Sequence, residues 1–379
     1  MLVPLAHAVT ATCGGKAGAL GRLLRAGLPV PDGVVVPFGA DPAALHDALA
    51  PALATLGDVP VAVRSSAGDE DAPGASAAGQ HETVLAVRGA DQVADAVRTC
   101  WESLHSARAT AYRSARPGPA AGPVMAVLVQ RLVDAQVAGV MFTPAAPDGT
   151  TRIEASWGLG AGVVGGTVTP DAYGVTPDGT VTRHVADKRT RTDRRGTRVV
   201  TTPVAGADRR RPCLDDATAV RLARLGERVA DVLAGPQDVE WAVVDGEPWV
   251  LQARPVTADL PAPSPPAEPG ALTGTPGSRG TATGTARVVR GPGDFARVRR
   301  GDVLVCPWTD PGWTPLLHLA AGVITETGGV LAHAAIVARE RGIPAVLGVA
   351  DATTVLHDGT TVTVDGTAGT VTTAPPTPT

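Results

Sequence analysis

His333 lies in Thr325-Glu326-Thr327-Gly328-Gly329-Val330-Leu331-Ala332-His333, directly before a run rich in Ala, Ile and Val. The apolar Gly322-Val323-Ile324 reads as a strand leading into two glycines. Paired glycines let the backbone turn tightly and bring N–H groups close to a ligand. The spacing predicts a helix that starts near His333. A helix start carries unpaired N–H donors and a partial positive charge, so it favours a phosphate. A histidine there can be a nucleophile whose phosphorylated form those donors hold. The plainer alternative is a capping or core-edge histidine.

Three further groups of residues have the chemistry to handle a phosphorylated substrate. Val59-Pro60-Val61-Ala62-Val63 delivers Arg64-Ser65-Ser66, followed by the small-residue stretch Ser76-Ala77-Ala78-Gly79-Gln80 and by Thr83. A strand ending in an arginine and hydroxyls suits a triphosphate lid, because backbone N–H groups and the Arg fork both address phosphate oxygens. A polar hairpin with an exposed arginine fits the same residues. Asp238 to Val243 and Pro248 to Pro255 read as antiparallel strands joined at Asp245-Gly246. Paired across that hairpin, Glu240 and Gln252 can hold Mg²⁺ with ATP oxygens completing its shell, while Arg254 meets a phosphate. A cross-strand salt bridge is the competing reading. Gly14-Gly15-Lys16 is shorter than a Walker A loop, so it is equally well a turn followed by a surface lysine. Ser65 has no nucleophile elbow around it, which removes a serine-hydrolase reading.

The elements that must position these groups alternate strand-like and helix-like patterns. Leu20, Leu23, Leu24 and Leu28 share a helical face that Pro29 and Pro31 end, and Val34-Val35-Val36 reads as a strand. Helical periodicity recurs over 91–113 and 215–233. Strands are expected at 124–130 (ending in Gln130), 138–143 and before Gly158, and in the last hundred residues at 286–289, 302–305, 323–325 and 360–364. The basic stretch from Arg183 to Arg211 reads as a solvated loop, with Lys188 its one candidate ligand contact. Residues 258–273 are a Pro-rich linker that would reach roughly 50 Å if fully stretched, and 372–379 read as a disordered tail.

Composition narrows the function classes. A net charge of -4 argues against a general nucleic-acid binder. The start lacks a basic n-region with a long apolar core, and no apolar run is long enough for a bilayer. Four scattered cysteines show no zinc spacing and suit a reducing cytosol. The expectation is a cytoplasmic protein with no membrane and no nucleic-acid partner.

With these residues laid out, the chain resembles the phosphoenolpyruvate-utilising dikinase family: phosphoenolpyruvate synthase, pyruvate phosphate dikinase and rifampicin phosphotransferase. Gly14-Gly15-Lys16, Arg64-Ser65-Ser66 with Gly79-Gln80 and Thr83, Pro236 to Trp241 with Leu251 to Pro255, and the His333 signature carry the likeness. Thr309-Asp310-Pro311-Gly312-Trp313-Thr314-Pro315-Leu316 looks most like rifampicin phosphotransferase. The resemblance implies an α/β (α+β) protein. An ATP-grasp domain over 1–257, with subdomains of about 1–115 and 116–257, would be joined by the linker to a small swivelling β/α phosphohistidine domain over 274–371. It implies that the β-phosphate of ATP passes to His333 and the γ-phosphate leaves as Pi. The phosphoryl group then goes to an acceptor, with AMP as co-product. By position, Lys16 and Arg64 would hold phosphates, Glu240 and Gln252 would bind Mg²⁺, and Arg254 would neutralise phosphate charge. Gly79, Gln80 and Thr83 would contact the nucleotide, with Gln130 on the adenine-binding strand.

No stretch of the given sequence resembles the family's acceptor domain, and the expectation is that the linker stands in place of an antibiotic-binding domain. Ala332 replaces the usual hydroxyl or thiol before the histidine, and Ala161 replaces an acidic residue. Three readings follow. The first is a compact phosphotransferase with a small-molecule acceptor at the domain interface, where Trp308 and Trp313 either line the pocket or pack under the His loop. The second is a phosphocarrier whose acceptor domain is a separate protein. The third is an ATP-binding or regulatory module without turnover; an ATP-grasp ligase working through an acyl phosphate is the alternative should the phosphohistidine route fail.

Overall fold

Valine-rich runs alternate with Ala- and Leu-rich ones, and they sort as their side-chain stiffness dictates, β-branched residues into strands and Ala or Leu into helices. The computed structural model describes residues 1–68, 83–105, 124–144, 149–256 and 271–373. Gly79, Gln80, most of the Pro-rich linker and the last six residues lie outside that range. The architecture is mixed α/β, as expected, in two compact units. The first comprises the described parts of Met1–Gly160, Ala172–His184 and Thr190–Val256; the second comprises Ala161–Asp171, Val185–Arg189 and the described residues from 271 on.

The first unit contains a five-stranded sheet of β1 (Val3–Pro4), β2 (Gly33–Val36), β3 (Val61–Ala67), β4 (Thr83–Val87) and β5 (Met125–Arg131), in the order β1-β2-β5-β3-β4. β5 lies between β2 and β3, so the subdomain boundary expected near residue 115 moves beyond Arg131. Helices Leu45–Thr55 and Ala90–Ser103 pack Leu45, Leu49, Leu53, Val93 and Val97 on one face of this sheet, against Val61, Val63, Val127 and Val129. Helix Thr10–Arg25 covers β3 and β5 from the other face and stops before Leu28, short of the expected pattern. This helix is broken at Gly14, whose φ of 78° and ψ of 171° belong to a region open essentially to glycine alone. A Cβ there would lie 2.2 Å from the Ser66 carbonyl oxygen. The Ser66 hydroxyl bridges the break, donating to the Cys13 carbonyl (2.7 Å) and accepting from the Ala17 N–H (3.1 Å).

The second sheet of this unit begins with β6 (Val137–Phe142), β7 (Thr151–Trp157), β8 (Asp171–Val175) and β9 (Val181–His184). The basic stretch that follows is not a solvated loop throughout. It forms a hairpin of β10 (Thr190–Arg195) and β11 (Arg198–Pro203), with Arg191 paired to Asp193 and Arg194 to Asp134. Lys188 is likewise no ligand contact here: it is fully buried, and its ammonium donates to Asp171 (2.5 Å) and to the Ala186 carbonyl (3.1 Å). β12 (Gln237–Val244) and β13 (Glu247–Pro255) complete the sheet in the order β13-β12-β6-β7-β8-β9. They turn at Asp245 (φ 50°) and Gly246 (φ 79°), as an Asp-Gly hairpin requires. Helix Asp216–Leu233, capped by Asp215 accepting from Thr218 N–H (2.7 Å), buries Leu222, Leu225 and Val229 against Met141, Ile153, Val239 and Trp241.

The second unit is built on β14 (Leu272–Thr273), β15 (Thr275–Ser278), β16 (Thr281–Val288), β17 (Val303–Cys306), β18 (Gly322–Thr325), β19 (Ala345–Leu347), β20 (Thr361–Asp365) and β21 (Thr370–Thr373). Their order is β14-β21-β20-β16-β17-β18-β19-β15. β16 to β19 run parallel, flanked by antiparallel strands. The fold thus starts two residues before the expected 274 and keeps Thr372 and Thr373, expected in the tail, within its last strand. Among the described residues no helix is long and apolar enough to cross a membrane.

Gly14→Ala tests the helix break. Forcing a β-carbon into that backbone region costs about 1–3 kcal/mol before the clash with Ser66 is counted, so thermal unfolding should occur several degrees lower. An unchanged melting temperature would show that the break is not a constraint.

Candidate functional site

The first cluster of chemical groups forms where the two sheets of the first unit meet. Side chains alternate along strands, so Asp238 and Glu240 share one face of β12. The register places Asp238 opposite Arg254 and Glu240 opposite Gln252. The other face is apolar, with Val239, Trp241 and Val250 in the core. A bulge follows Glu240: it pairs with Gln252 while Trp241 pairs with Val250, which leaves Leu251 outside the ladder. The orphaned Leu251 carbonyl accepts from Arg64 Nη1 at 2.7 Å. Arg64 Nη2 forms a short ion pair with Glu240 Oε2, so one guanidinium on β3 ties the two sheets together. Arg254 donates from Nε (2.8 Å) and Nη2 (2.7 Å) to Asp238 Oδ2. Lys16, on the turn after the helix break, donates to the Ser65 carbonyl at 3.2 Å.

Glu240 feels all three cations. Burial pushes its carboxyl up, but Arg64 first, then Arg254 and Lys16, outweigh that and hold it below the usual carboxylate range. Among the described residues no group of three or more His, Cys, Asp or Glu is placed to hold a metal ion. The facing Glu240 carboxylate and Gln252 amide supply two hard oxygen donors. That set fits Mg²⁺, which commonly takes one or two protein oxygens and fills its shell with substrate phosphates and water.

The second cluster lies in the second unit. His333 is the first residue of helix His333–Arg341, and Ala332 at its cap offers no side-chain hydrogen bond. The ring is buried, with Nδ1 3.0 Å from the Thr309 hydroxyl. In the tautomer whose Nδ1–H donates to Thr309, the ring lone pair is on Nε2. Gly328, at φ 104°, makes the turn before it. Arg339, on the next turns of the helix, donates to the carbonyls of Val330 (2.7 Å) and Gly277 (2.8 Å), fixing the loop to β15. Cys306 is no rival nucleophile, since burial and the nearby Glu326 push its thiol up.

The structure therefore gathers Lys16, Arg64, Glu240, Gln252 and Arg254 in one place. Thr83 pairs with Arg64 on the edge strand and is exposed. Gln130 is buried, and its amide donates to the Pro31 carbonyl at 3.0 Å. The Ser66 hydroxyl bridges the helix break. Sequence reasoning missed Asp238, which holds Arg254, and Thr309, which holds His333. Asp238 was legible as the i−2 neighbour of Glu240 on the same strand face. Nothing in the spacing of Thr309 and His333 announces their contact.

Residues 39–267 match the pyruvate phosphate dikinase AMP/ATP-binding domain, and residues 298–369 match the mobile domain of PEP-utilising enzymes. The chain belongs to the pyruvate phosphate dikinase AMP/ATP-binding domain family. It is 42% identical to the probable phosphoenolpyruvate synthase of Methanothermobacter thermautotrophicus, over 79% of this chain and 45% of that protein. It is 40% identical to the probable phosphoenolpyruvate synthase of Pyrococcus abyssi, over 79% and 39%. It is 35% identical to the phosphoenolpyruvate synthase of Aeropyrum pernix, over 90% and 54%. The chain spans about two-fifths to half the length of these curated relatives.

Two predictions follow from the geometry. Glu240 has a folded pKa below its unfolded one, so its ion pairs stabilise the fold above the unfolded carboxylate pKa of about 4.3. That stability is lost as pH falls through the lower folded pKa. Glu240→Gln should cost roughly 1–3 kcal/mol at neutral pH and progressively less in acid; a pH-independent difference in denaturant unfolding would contradict it. Thr309→Val removes the hydroxyl at nearly constant volume. The ¹⁵N shifts of His333 should then report a changed tautomer mixture, with stability lowered by roughly 0.5–1.5 kcal/mol; unchanged shifts would show that Thr309 does not set the ring.

Proposed function

We propose that this chain is an ATP-dependent phosphotransferase of the dikinase type, combining an ATP-grasp nucleotide site with a phosphohistidine domain. The observation that carries this reading is the convergence of Lys16, Arg64 and Arg254 on Glu240, with Gln252 facing it. Three cations against the two carboxylates of Glu240 and Asp238 leave net positive charge, which polyphosphate oxygens neutralise. Phosphoryl transfer depends on such positioning and charge neutralisation more than on covalent help from the protein.

In this reading Lys16, Arg64 and Arg254 hold the ATP phosphates, and Glu240 and Gln252 hold Mg²⁺. Bound Mg²⁺ supplies further neutralisation of phosphate charge. Asp238 orients Arg254, and Thr309 keeps the His333 lone pair at Nε2. That nitrogen attacks the β-phosphorus; AMP departs, and the γ-phosphate is released to water as Pi. Phospho-His333 then gives its phosphoryl group to a small-molecule acceptor. The relatives are named phosphoenolpyruvate synthase, which supports the transfer chemistry. The four scattered cysteines, with no zinc spacing, suit work in the cytoplasm.

Incubation with [β-³²P]ATP and Mg²⁺ tests this directly. The expected result is acid-labile label on His333 with AMP and Pi in solution. Lys16→Ala should slow labelling about 10²-fold, the usual cost of one preorganised charge-stabilising donor. His333→Ala should bind ATP and form no label. Full turnover by His333→Ala, or ADP as sole nucleotide product, would instead indicate acyl-phosphate ligase chemistry. Label that discharges only when a second protein is added would mark the chain as a phosphocarrier.

A further inference from the structure

The segment Ala161–Asp171 packs in the second unit, although the residues before and after it belong to the first. It follows β7 and leads into β8, two strands of the sheet that carries Glu240 and Gln252. The residues it meets share one edge of the second unit. Thr327 and Gly348 stand just past the ends of β18 and β19, which run parallel. That carboxyl edge is where parallel sheets gather their ligands, and it also carries the His333 loop.

The Thr327 hydroxyl donates to the Gly166 carbonyl at 2.6 Å, across 161 positions of sequence. The local fold does not need that bond. The Thr327 N–H donates to the Pro307 carbonyl (3.1 Å), and the Thr327 carbonyl accepts from the Thr325 hydroxyl (2.6 Å). The Thr327 hydroxyl also lies 3.1 Å from the Pro307 carbonyl. It has a single proton, so the shorter contact holds it, and the Pro307 carbonyl can take it when Gly166 departs. Separation then leaves this donor paired and avoids the usual penalty of breaking such a bond. The rest of the contact is smooth. A Cβ on Gly166 would lie 3.2 Å from the Ala332 Cβ, and one on Gly328 would lie 3.6 Å from the Gly166 Cα. A Cβ on Gly348 would lie 3.4 Å from Cγ2 of Thr169. Backbone and methyl groups meet without interlocking side chains, so little apolar area holds segment and loop together.

We propose that Thr327 is a positioning residue of the ATP step: its hydroxyl holds the His333 loop on the 161–171 segment while His333 takes phosphate, and turns to the Pro307 carbonyl when the loop leaves. The proposal rests on the phosphohistidine reading above. The segment is continuous in sequence with the sheet that bears Glu240 and Gln252, so seating on it belongs to the ATP step and not to transfer onward. Ala332, which rests against Gly166, directly precedes His333. A shift of the loop on the segment therefore moves the imidazole with it, and a displacement near 1 Å is enough to slow a transfer.

The test follows single-turnover labelling of the full chain by [β-³²P]ATP and Mg²⁺. Thr327→Val should slow labelling roughly threefold to tenfold at saturating ATP, the effect of losing one hydrogen bond. The half-saturating ATP concentration should not change, and Thr327→Ser should restore the rate. AMP and Pi retrace the same step, so they should remove label from the nucleotide-free Thr327→Val chain more slowly than from wild type. Loss of label to water should not slow. Gly166→Ala, whose new Cβ would crowd Ala332, should also slow labelling. Adding Thr327→Val to it should slow labelling little further, because both act on one contact. Wild-type labelling by Thr327→Val, no rescue by serine, a raised ATP requirement, additive effects of the two changes, or slower loss of label to water would each overturn the proposal. If Gly166→Ala does not fold, the two Thr327 variants decide alone. A wild-type chain that takes no label would instead overturn the phosphohistidine reading, and this role for Thr327 with it.

Discussion

Three like charges held near one another are the constraint on which the first unit is built. Lys16, Arg64 and Arg254 come from a helix turn, a strand of the first sheet and a strand of the second. Their mutual repulsion opposes the approach of those elements. Glu240 and Asp238 offset it, the first between the sheets and the second across its own hairpin. Several local irregularities exist to make that meeting possible. The break at Gly14 aims Lys16, the Ser66 hydroxyl closes the break, and the bulge at Leu251 frees a carbonyl for Arg64. A regular helix and an unbroken ladder would leave these groups apart.

The second unit handles a different difficulty. On the proposed phosphohistidine reading, the buried His333 imidazole has to present one nitrogen with a defined lone pair. Thr309 engages the other nitrogen, while Arg339 pins the preceding loop through two carbonyls. The supports come from three separate elements, so the ring orientation is set by the domain core rather than by the loop alone. Ala332, which offers no hydroxyl, leaves the helix start without a side-chain cap and its amides available to an anion.

Local pattern revealed what depends on local pattern. Alternation plus an Asp-Gly turn was enough to place Glu240 opposite Gln252, and the glycine pair before an Ala-rich run located the helix start at His333. Partners distant in sequence were not legible. Lys188 reads as a free basic residue until Asp171 is found beside it, and Arg194 until Asp134 is. The insertion of β5 between β2 and β3 is likewise invisible to a reading that proceeds along the chain, because register between non-consecutive strands leaves no periodic mark. The helix break at Gly14 had a visible glycine, but its need for that backbone angle appears only once Ser66 stands against it.

The central position of β5 also sets when this architecture can exist during synthesis. Until Met125–Arg131 has emerged, β2 and β3 each expose an edge that has no native neighbour to fill it. The helices that precede β5 in the chain then lack half the apolar floor they cover, since Val127 and Val129 belong to it. The amino-terminal third of the chain is thus a set of parts awaiting a keystone, and the ribosome delivers that keystone last.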